Sequence, residues 1–238
     1  ATIHISHKVN NKNNFYLNGY ISGDKFNLNS DTNYAYKNKN ANIKWKHSFT
    51  NRFYGVLSAG VDHYDYSVSG YDNPVNAFKL AYSINQYKFN ADFSYFLSNK
   101  HKLAFGASTL YYNIHSGTFD PAGKESLIIP DTIEAEHALE SAIYLSDQYN
   151  ITSKFSVEGG IRYSLYNYLG PKHVNVYAPG LPRDESNLTD VVFYPSGKNI
   201  KTYGGPEYRA SARYSLSDNT SIKAAYNTTR QYIQMISN

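Results

Sequence analysis

The sequence predicts an all-β chain arranged as an antiparallel, up-and-down transmembrane β-barrel, and three observations carry that expectation. Apolar and polar residues alternate with period two over long runs. The runs are longer than the five or six residues of ordinary soluble strands. The links between them are alternately short and long, as where tight turns occupy one rim of a membrane barrel and loops the other. No window has convincing helical periodicity, and none approaches the roughly 18 apolar residues of a spanning helix.

About ten strands follow in order. The first two, near 1–9 and 14–28, are joined by "NNKN" at Asn10 to Asn13. The third, 33–49, contains "ANIKWKHSF", with Ala41, Ile43, Trp45, His47 and Phe49 on one parity and Asn42, Lys44, Lys46 and Ser48 on the other. A short "TNR" leads to the fourth, 53–69, and "GYDNPVN" leads on to the fifth, 77–97. There "QYKFNADFSY" sets Tyr87, Phe89, Ala91, Phe93 and Tyr95 against Lys88 and Asp92. "SNKH" joins it to the sixth, 102–117, and a segment around Phe119 to Ala135 leads to the seventh, 136–150. "TSK" opens the eighth, 154–169, whose "EGGIRYSLYNY" puts Ile161, Tyr163 and Leu165 opposite Glu158, Arg162 and Ser164. A loop of thirty-odd residues from Gly170 to about Pro206 precedes the ninth, 206–216, and "SDNT" turns into the tenth, 221–236.

Composition fits this plan. Hydrophobic residues make up 41% and mean hydropathy is -0.56, which suits a wall in which only alternate residues must be apolar. The absence of cysteine removes disulfides, thiolate metal sites and cysteine nucleophiles. A formal charge of +4, with Lys and Arg dispersed, gives no basis for a nucleic-acid partner. Ala1 opens straight into "ATIHISHKV", with no export leader visible.

Charge fixes the phase of the wall. A cation near the midplane of a lipid face costs about 2 to 4 kcal/mol, so Lys44, Lys46, Lys88, Asp92, Glu158, Arg162, Arg209 and Arg213 are expected on a wet lumen face. Lys in place of Ile161 should then disrupt assembly, and Lys in place of Ser164 should be tolerated. Tyr64, Tyr66, Tyr71, Tyr111, Tyr112, Tyr163, Tyr166 and Tyr168 cluster where strands approach the long links, as an interfacial girdle would. The expected ligand contacts are Tyr177, Arg183, Asp184 and Glu185 in "YAPGLPRDESN", a mixture of ring and charge suited to polar solutes.

Catalytic and metal chemistry find little support. His4 and His7 fall on opposite strand faces, the other histidines are scattered, and neither a nucleophile elbow nor a phosphate-binding loop occurs. No cofactor is expected. Gly159-Gly160 and Gly204-Gly205 read as close strand approach or turns. Two other classes stay open: a soluble β-sandwich binding module, and a small outer-membrane barrel enzyme using Asp62 or His63.

"ALESAIYLSDQYNITSKFSVEGGIRYSLYNYLGP" at Ala138 to Pro171, with "KTYGGPEYRASARYSLSDNTSIKAAYNTTRQYIQMISN" at Lys201 to Asn238, resembles the barrel of Bacteroidota-type TonB-dependent transporters. Gly160 to Tyr163 looks like that family's Gly-Leu-Arg-Tyr-like tetrapeptide. The resemblance implies residence in the bacterial outer membrane and about ten strands of a barrel of about 22. It implies that residues 1–238 form one partial barrel domain, an interior segment without the plug. The implied partners are outer-membrane lipid, a plug domain, the remaining barrel strands, the TonB complex acting through the plug, and a surface lipoprotein as a candidate accessory. The function implied is uptake of an external solute, not catalysis.

Overall fold

The computed structural model describes residues 1–28 and 32–233. Thirteen strands form: β1 Thr2–Asn10, β2 Asn13–Leu28, β3 Thr32–Ser48, β4 Phe53–Gly70, β5 Phe78–Phe96, β6 His101–Pro121, β7 Asp131–Ile133, β8 Glu136–Asn150, β9 Phe155–Leu169, β10 Lys172–Tyr177, β11 Leu188–Tyr194, β12 Asn199–Ser217 and β13 Thr220–Asn227. Ten of them make one antiparallel sheet in the order β1-β2-β3-β4-β5-β6-β8-β9-β12-β13, with β7 paired to the far end of β6. β10 and β11 form a separate hairpin.

The alternating links fall where the sequence puts them. Tight turns follow β1, β3, β5, β8 and β12, and the long links lie at the opposite end of the strands. Thr50, Ser98 and Thr152 stabilise three of these turns by accepting, through their hydroxyls, backbone N–H groups two and three residues on. The ladder row through Asn13, His47, Gly55, Phe93, Phe105, Leu145, Ile161 and Tyr208 lies at the β1–β2 turn. The later hairpins reach progressively further past that row, to Ser48, Phe96, Asn150 and Ser217. Such a stagger is the shear of strands tilted in a barrel wall.

Three expectations are corrected. The stretch 170–206 is not all loop: it contains the β10–β11 hairpin, and β12 already begins at Asn199. Pro206 sits inside β12 because its ring nitrogen lies on the β13 side, where the ladder with β13 has ended; that ladder starts at Arg209–Asn227. The last strand ends at Asn227 instead of 236; after Thr228, whose N still bonds Tyr208 O at 2.8 Å, residues 229–233 leave the ladder, and 234–236 lie outside the described residues.

Cross-strand partners share a face, so register sorts the whole sheet. One face carries Ile3, Ile5, Leu17, Ile43, Val61, Phe89, Ile143, Leu145, Ile161, Leu216 and Ile222, all exposed and all in one phase of the pleat. Near the tight turns it bears an aromatic cluster in which Phe49, Phe53, Phe93 and Phe105 approach with ring centroids 4.7 to 6.4 Å apart. From Phe53 to Val61 on β4, or Tyr95 to Tyr87 on β5, these positions cover about 26 Å of strand, or about 20 Å of height at a tilt of about 40°. Rings at both ends extend that span towards the apolar band of about 25 Å found on membrane barrels. Across β3 to β8 the band stops sharply, although Ile21 on β2 and Leu169 on β9 continue it by one row at either side. Its last row is Ala41, Val61, Tyr87, Tyr111 and Leu139, and the next is Lys39, His63, Asn85, Asn113 and His137.

The tightly packed small residues belong to the other face. Ala138, Ala142, Ser146 and Ser164 are buried there, crowded by long polar neighbours. Of the eight tyrosines expected in a girdle, only Tyr111 and Tyr163 lie in the apolar phase, and Tyr71 lies in the β4–β5 link. Tyr64, Tyr66, Tyr112, Tyr166 and Tyr168 occupy the polar phase, because proximity to a rim does not set parity.

Candidate functional site

The polar face gathers the chemistry. Its middle row runs Tyr16, Lys44, Ser58, Asn90, Ser108, Ala142, Ser164 and Gly205. The eight charged residues Lys44, Lys46, Lys88, Asp92, Glu158, Arg162, Arg209 and Arg213 all lie in the phase of that row. Lys88 Nζ lies 2.7 Å from Asp62, Arg162 Nε 3.7 Å from Glu207 and Arg209 Nη1 3.9 Å from Glu158. Arg162 also donates to Ser108 Oγ at 3.4 Å, and Lys46 sits over the Tyr16 ring at 5.3 Å. Lys44 and Arg213 make no ion pair among the described residues. These half-exposed pairs lie across neighbouring strands, where each adds little stability but fixes side-chain direction.

Glycines let long side chains lie flat along this wall. The Tyr144 ring on β8 crosses Gly106 on β6 and donates to Asp92 Oδ1 on β5 at 2.6 Å. A Cβ on Gly106 would come within 2.3 Å of the Ala91 carbonyl and 2.8 Å of the Tyr144 ring. Lys88 lies over Gly60 and Arg209 over Gly160 in the same way. The expected close approach at Gly160 is therefore between a side chain and a backbone. At Gly204 a Cβ would meet Ser164 O at 2.8 Å, which is strand against strand.

Towards the long links the face becomes rich in tyrosine and glutamate. Tyr112 donates to Glu140 at 3.3 Å, Tyr168 donates to Glu136, and Lys172 Nζ reaches Glu136 at 2.8 Å. Tyr82 packs between Tyr64 and Tyr66, with centroids 6.1 and 5.0 Å away. Sequence reading did not single out Glu136, Glu140, Glu207 or Lys172. The available signal was parity, since Glu136 and Glu140 share a phase with Ala138 and Ala142 along β8.

Ser164 requires a correction. It is 1% exposed, donates to Glu207 Oε1 at 2.6 Å and meets the Tyr232 hydroxyl at 2.7 Å. Residues 228–233 fold over this part of the wall, with the Tyr232 ring stacked on Tyr166 at 5.4 Å and the Arg230 guanidinium over Gly205. A lysine at Ser164 would have no room, so tolerance there is not expected.

The four loop residues are spread along one hairpin. Tyr177 ends β10, and its hydroxyl accepts from Asn175 at 3.3 Å. Asp184 caps the single 3-10 turn Glu185–Asn187, accepting from Asn187 N at 3.2 Å and Ser186 Oγ at 2.5 Å. Arg183 and Glu185 project at the tip, and among the described residues no hydrogen bond or ion pair joins Tyr177 to the other three. The hairpin is tied to the wall by Glu134, which accepts from His173 through the backbone N at 3.0 Å and through the ring. Those hydrogen bonds hold the Glu134 carboxyl below the usual carboxylate range.

Asp62 and His63 point to opposite faces, Asp62 to Lys88 and His63 to Asp65 at 2.6 Å, so they form no catalytic pair. Among the described residues no three His, Cys, Asp or Glu side chains gather as a metal site.

Comparison with known proteins places this geometry. The TonB dependent receptor-like, beta-barrel family model matches residues 4–235. No curated protein sequence matches the chain. Among solved structures, the copper transporter OprC superposes with a TM-score of 0.67 at 8% identity, over 95% of this chain and 36% of that one. BauA, the ferric preacinetobactin receptor from Acinetobacter baumannii, gives 0.65 at 12% identity, over 94% and 38%. The unliganded ferric citrate transporter FecA gives 0.60 at 12%, over 94% and 34%. At such identities these likenesses speak for the fold, and the chain spans about a third of the length of each. With its sheared antiparallel sheet, its one lipid-suited face and a family match over nearly its whole length, the chain belongs to the TonB-dependent receptor β-barrel family of the outer membrane.

Proposed function

We propose that residues 1–238 are one partial barrel domain, forming the wall of a receptor that binds an external solute and passes it into the periplasm. The carrying observation is the division of the sheet: one face exposes large apolar side chains up to a boundary that is sharp across β3 to β8, and the other pairs charges sideways along the wall. On this reading the apolar face meets outer-membrane lipid, and Lys44, Lys46, Lys88, Asp92, Glu158, Arg162, Arg209 and Arg213 face the lumen. The tight turns are periplasmic, and the β10–β11 hairpin stands outside the cell.

Solute capture falls to the loops, with Tyr177, Arg183, Asp184 and Glu185 as contacts, and the tyrosine and glutamate region around Tyr112, Glu140, Tyr168 and Glu136 lines the entrance. A plug domain and further barrel strands complete the receptor, the TonB complex supplies energy through the plug, and a surface lipoprotein is a candidate accessory. The relatives in hand are named for copper, ferric preacinetobactin and ferric citrate, which makes a metal ion or its chelate the first class of solute to try. The role is transport, not catalysis.

Residues 1–238 hold no cysteine, which allows a direct test once any cysteine elsewhere in the receptor is replaced. In intact cells an impermeant thiol reagent should label Ser186→Cys at the hairpin tip and leave Ser153→Cys, in the β8–β9 turn, untouched until the outer membrane is opened. Equal labelling of both, or recovery of the chain in a detergent-free soluble fraction, would overturn the reading.

A further inference from the structure

We infer that the polar face ends, among the tight turns, in a binding site for a small soluble polyanion with two or more oxyanion groups. The ladder sets its parts in one row. Asn150 N donates to Lys100 O at 2.8 Å, Asn150 pairs with Ser156, Ser156 with Arg213, and Arg213 with Lys223. Lys100, Asn150, Ser156, Arg213 and Lys223 therefore stand side by side on consecutive strands. Lys154 lies two residues before Ser156, its carbonyl accepting from Ser215 N at 2.8 Å. Between Lys100, Lys154 and Arg213 the face is hollowed to about 650 Å³, with the short polar side chains of Asn150 and Ser156 between the cations and no carboxylate around the hollow.

The cations have no counter-charge in the fold. Lys100, Lys154, Arg213 and Lys223 are all exposed, and none of their side chains makes a hydrogen bond or an ion pair among the described residues. Arg213 and Lys223 are directly opposite each other on one face, where like charges destabilise a sheet unless something lies between them. The nearby acids are engaged or distant. Glu158, one row away, faces Arg209 at 3.9 Å, Asp147 belongs to the other face with His101 at 2.7 Å, and Asp218 lies past Ser215 and Ser217 in the β12–β13 turn.

Turn chemistry holds two of the cations in place. In four tight turns a cation donates its backbone N–H to the side chain two residues before it: Lys12 to Asn10 at 2.9 Å, Arg52 to Thr50 at 3.2 Å, Lys100 to Ser98 at 3.1 Å and Lys154 to Thr152 at 3.2 Å. The surroundings then differ. Beside Lys12 and Arg52, Lys46 and Lys102 lie over the rings of Tyr16 and Phe96 at 5.3 and 5.7 Å, whereas Arg213 and Lys223 have no such partner among the described residues. A lone carboxylate would leave most of this charge unmatched. From β6 to β12 is three strand spacings, about 14 Å, a width suited to an anion with charged oxygens at both ends. Polycarboxylates and short phosphate chains share that chemistry. The role of the site, though not its existence, rests on the orientation proposed above: it stands at the periplasmic mouth, where it holds an anionic solute leaving the lumen.

The complete receptor, purified in neutral detergent, is titrated calorimetrically at low ionic strength with citrate, tripolyphosphate and acetate. Citrate or tripolyphosphate should bind roughly tenfold or more tighter than acetate, and the tighter of the two tells a carboxylate source from a phosphate one. The combined variant Lys100→Gln, Lys154→Gln and Arg213→Gln should lose roughly tenfold or more of that affinity. Lys223→Glu, which sets a carboxylate opposite Arg213, should lose several-fold by supplying the counter-charge from within. Lys12→Gln with Arg52→Gln, in the same turn position elsewhere, should change affinity by less than about twofold. Failure of both polyanions to bind, equal binding of acetate, unchanged affinity in the triple variant, or an equal loss in the Lys12 and Arg52 variant would each overturn the site. Unchanged Trp45 emission confirms that the triple variant is assembled. An altered spectrum moves the test to Lys223→Glu and the three single variants, each of which should lose several-fold; unchanged affinity in all of these overturns the site as well. Binding to the purified receptor is independent of orientation, whereas an inverted chain would leave Ser186→Cys unlabelled in intact cells, so the two failures are separable.

Discussion

Replacing Ile161 by lysine puts a charge in the centre of the apolar face. On β9 the apolar phase runs Phe155, Val157, Gly159, Ile161, Tyr163 and Leu165, with Ile161 near its middle and 47% exposed. About half of its surface is free of its neighbours Leu145 and Tyr208, so on the proposed orientation a lysine there would meet hydrocarbon directly. The cost of such a cation near the midplane is about 2 to 4 kcal/mol, roughly a 30- to 700-fold fall in the folding equilibrium. The control must be on the polar face and must have room. Ser164 fails on the second count, and Ser211 meets both, since it lies opposite Glu158 in the β12–β9 ladder. Reversible unfolding in urea from thin-bilayer vesicles, followed by the emission of Trp45, the single tryptophan, measures both variants. Ile161→Lys should lower stability by at least 2 kcal/mol, and Ser211→Lys should stay within about 0.5 kcal/mol of the parent. Equal losses would refute the assignment of faces.

Trp45 itself lies in the apolar phase beside Phe15, its ring N–H bonded to Asn13 at 3.0 Å; brominated acyl chains should quench it strongly, and a water-soluble quencher such as iodide should have little effect. Gly106→Ala should cost about 1 to 3 kcal/mol by driving a methyl group into the Ala91 carbonyl and the Tyr144 ring. Tyr144→Phe should leave that backbone fit intact and lose only the bond to Asp92, about 1 kcal/mol, by the same unfolding measurement. The tie between Glu134 and His173 should be present at neutral pH and above the ordinary carboxylate range, and be lost as pH falls below it, because the folded carboxyl is the stronger acid. Carbon-detected NMR of labelled Glu134 should show that depressed titration, and His173→Ala should return it to the ordinary value.

Period-two alternation located most of the main strands to within a residue or two, because a membrane wall must be apolar on one face along its whole height and any slip turns a charge into lipid. The same pattern fixed the phase of Lys88, Arg162 and Arg209 without any knowledge of partners. It said nothing of the β10–β11 hairpin, which pairs with no strand of the main sheet and therefore need not alternate. It misread Gly204-Gly205-Pro206 as the end of a loop, because a proline reads as a breaker unless one knows which neighbour its missing N–H would have faced. The girdle failed for a related reason: composition near a rim counts tyrosines, while facing depends on parity, and five of the eight lie in the polar phase.

The polar face shows what register adds to parity. Tyr144 and Asp92 are far apart in sequence and on strands that do not touch, and they meet only because Gly106 separates them on the strand between. Lys88 above Gly60 and Arg209 above Gly160 lie over glycines in the same way, so the long polar side chains lie down along the sheet instead of standing off it. A side chain lying flat has its charge matched by a neighbour two residues or one strand away, which leaves little field for a passing solute. On the proposed orientation Lys44 and Arg213, which lack such a partner among the described residues, are the charges of this wall that a solute or a plug would feel. Neutralising them should alter what the lumen admits, whereas neutralising Lys88 should chiefly release Asp62. Measuring uptake for Lys44→Gln and Arg213→Gln beside Lys88→Gln, each with its unfolding free energy, separates the two roles. A larger uptake defect from Lys88→Gln at unchanged stability would show that the paired charges, not the free ones, line the path.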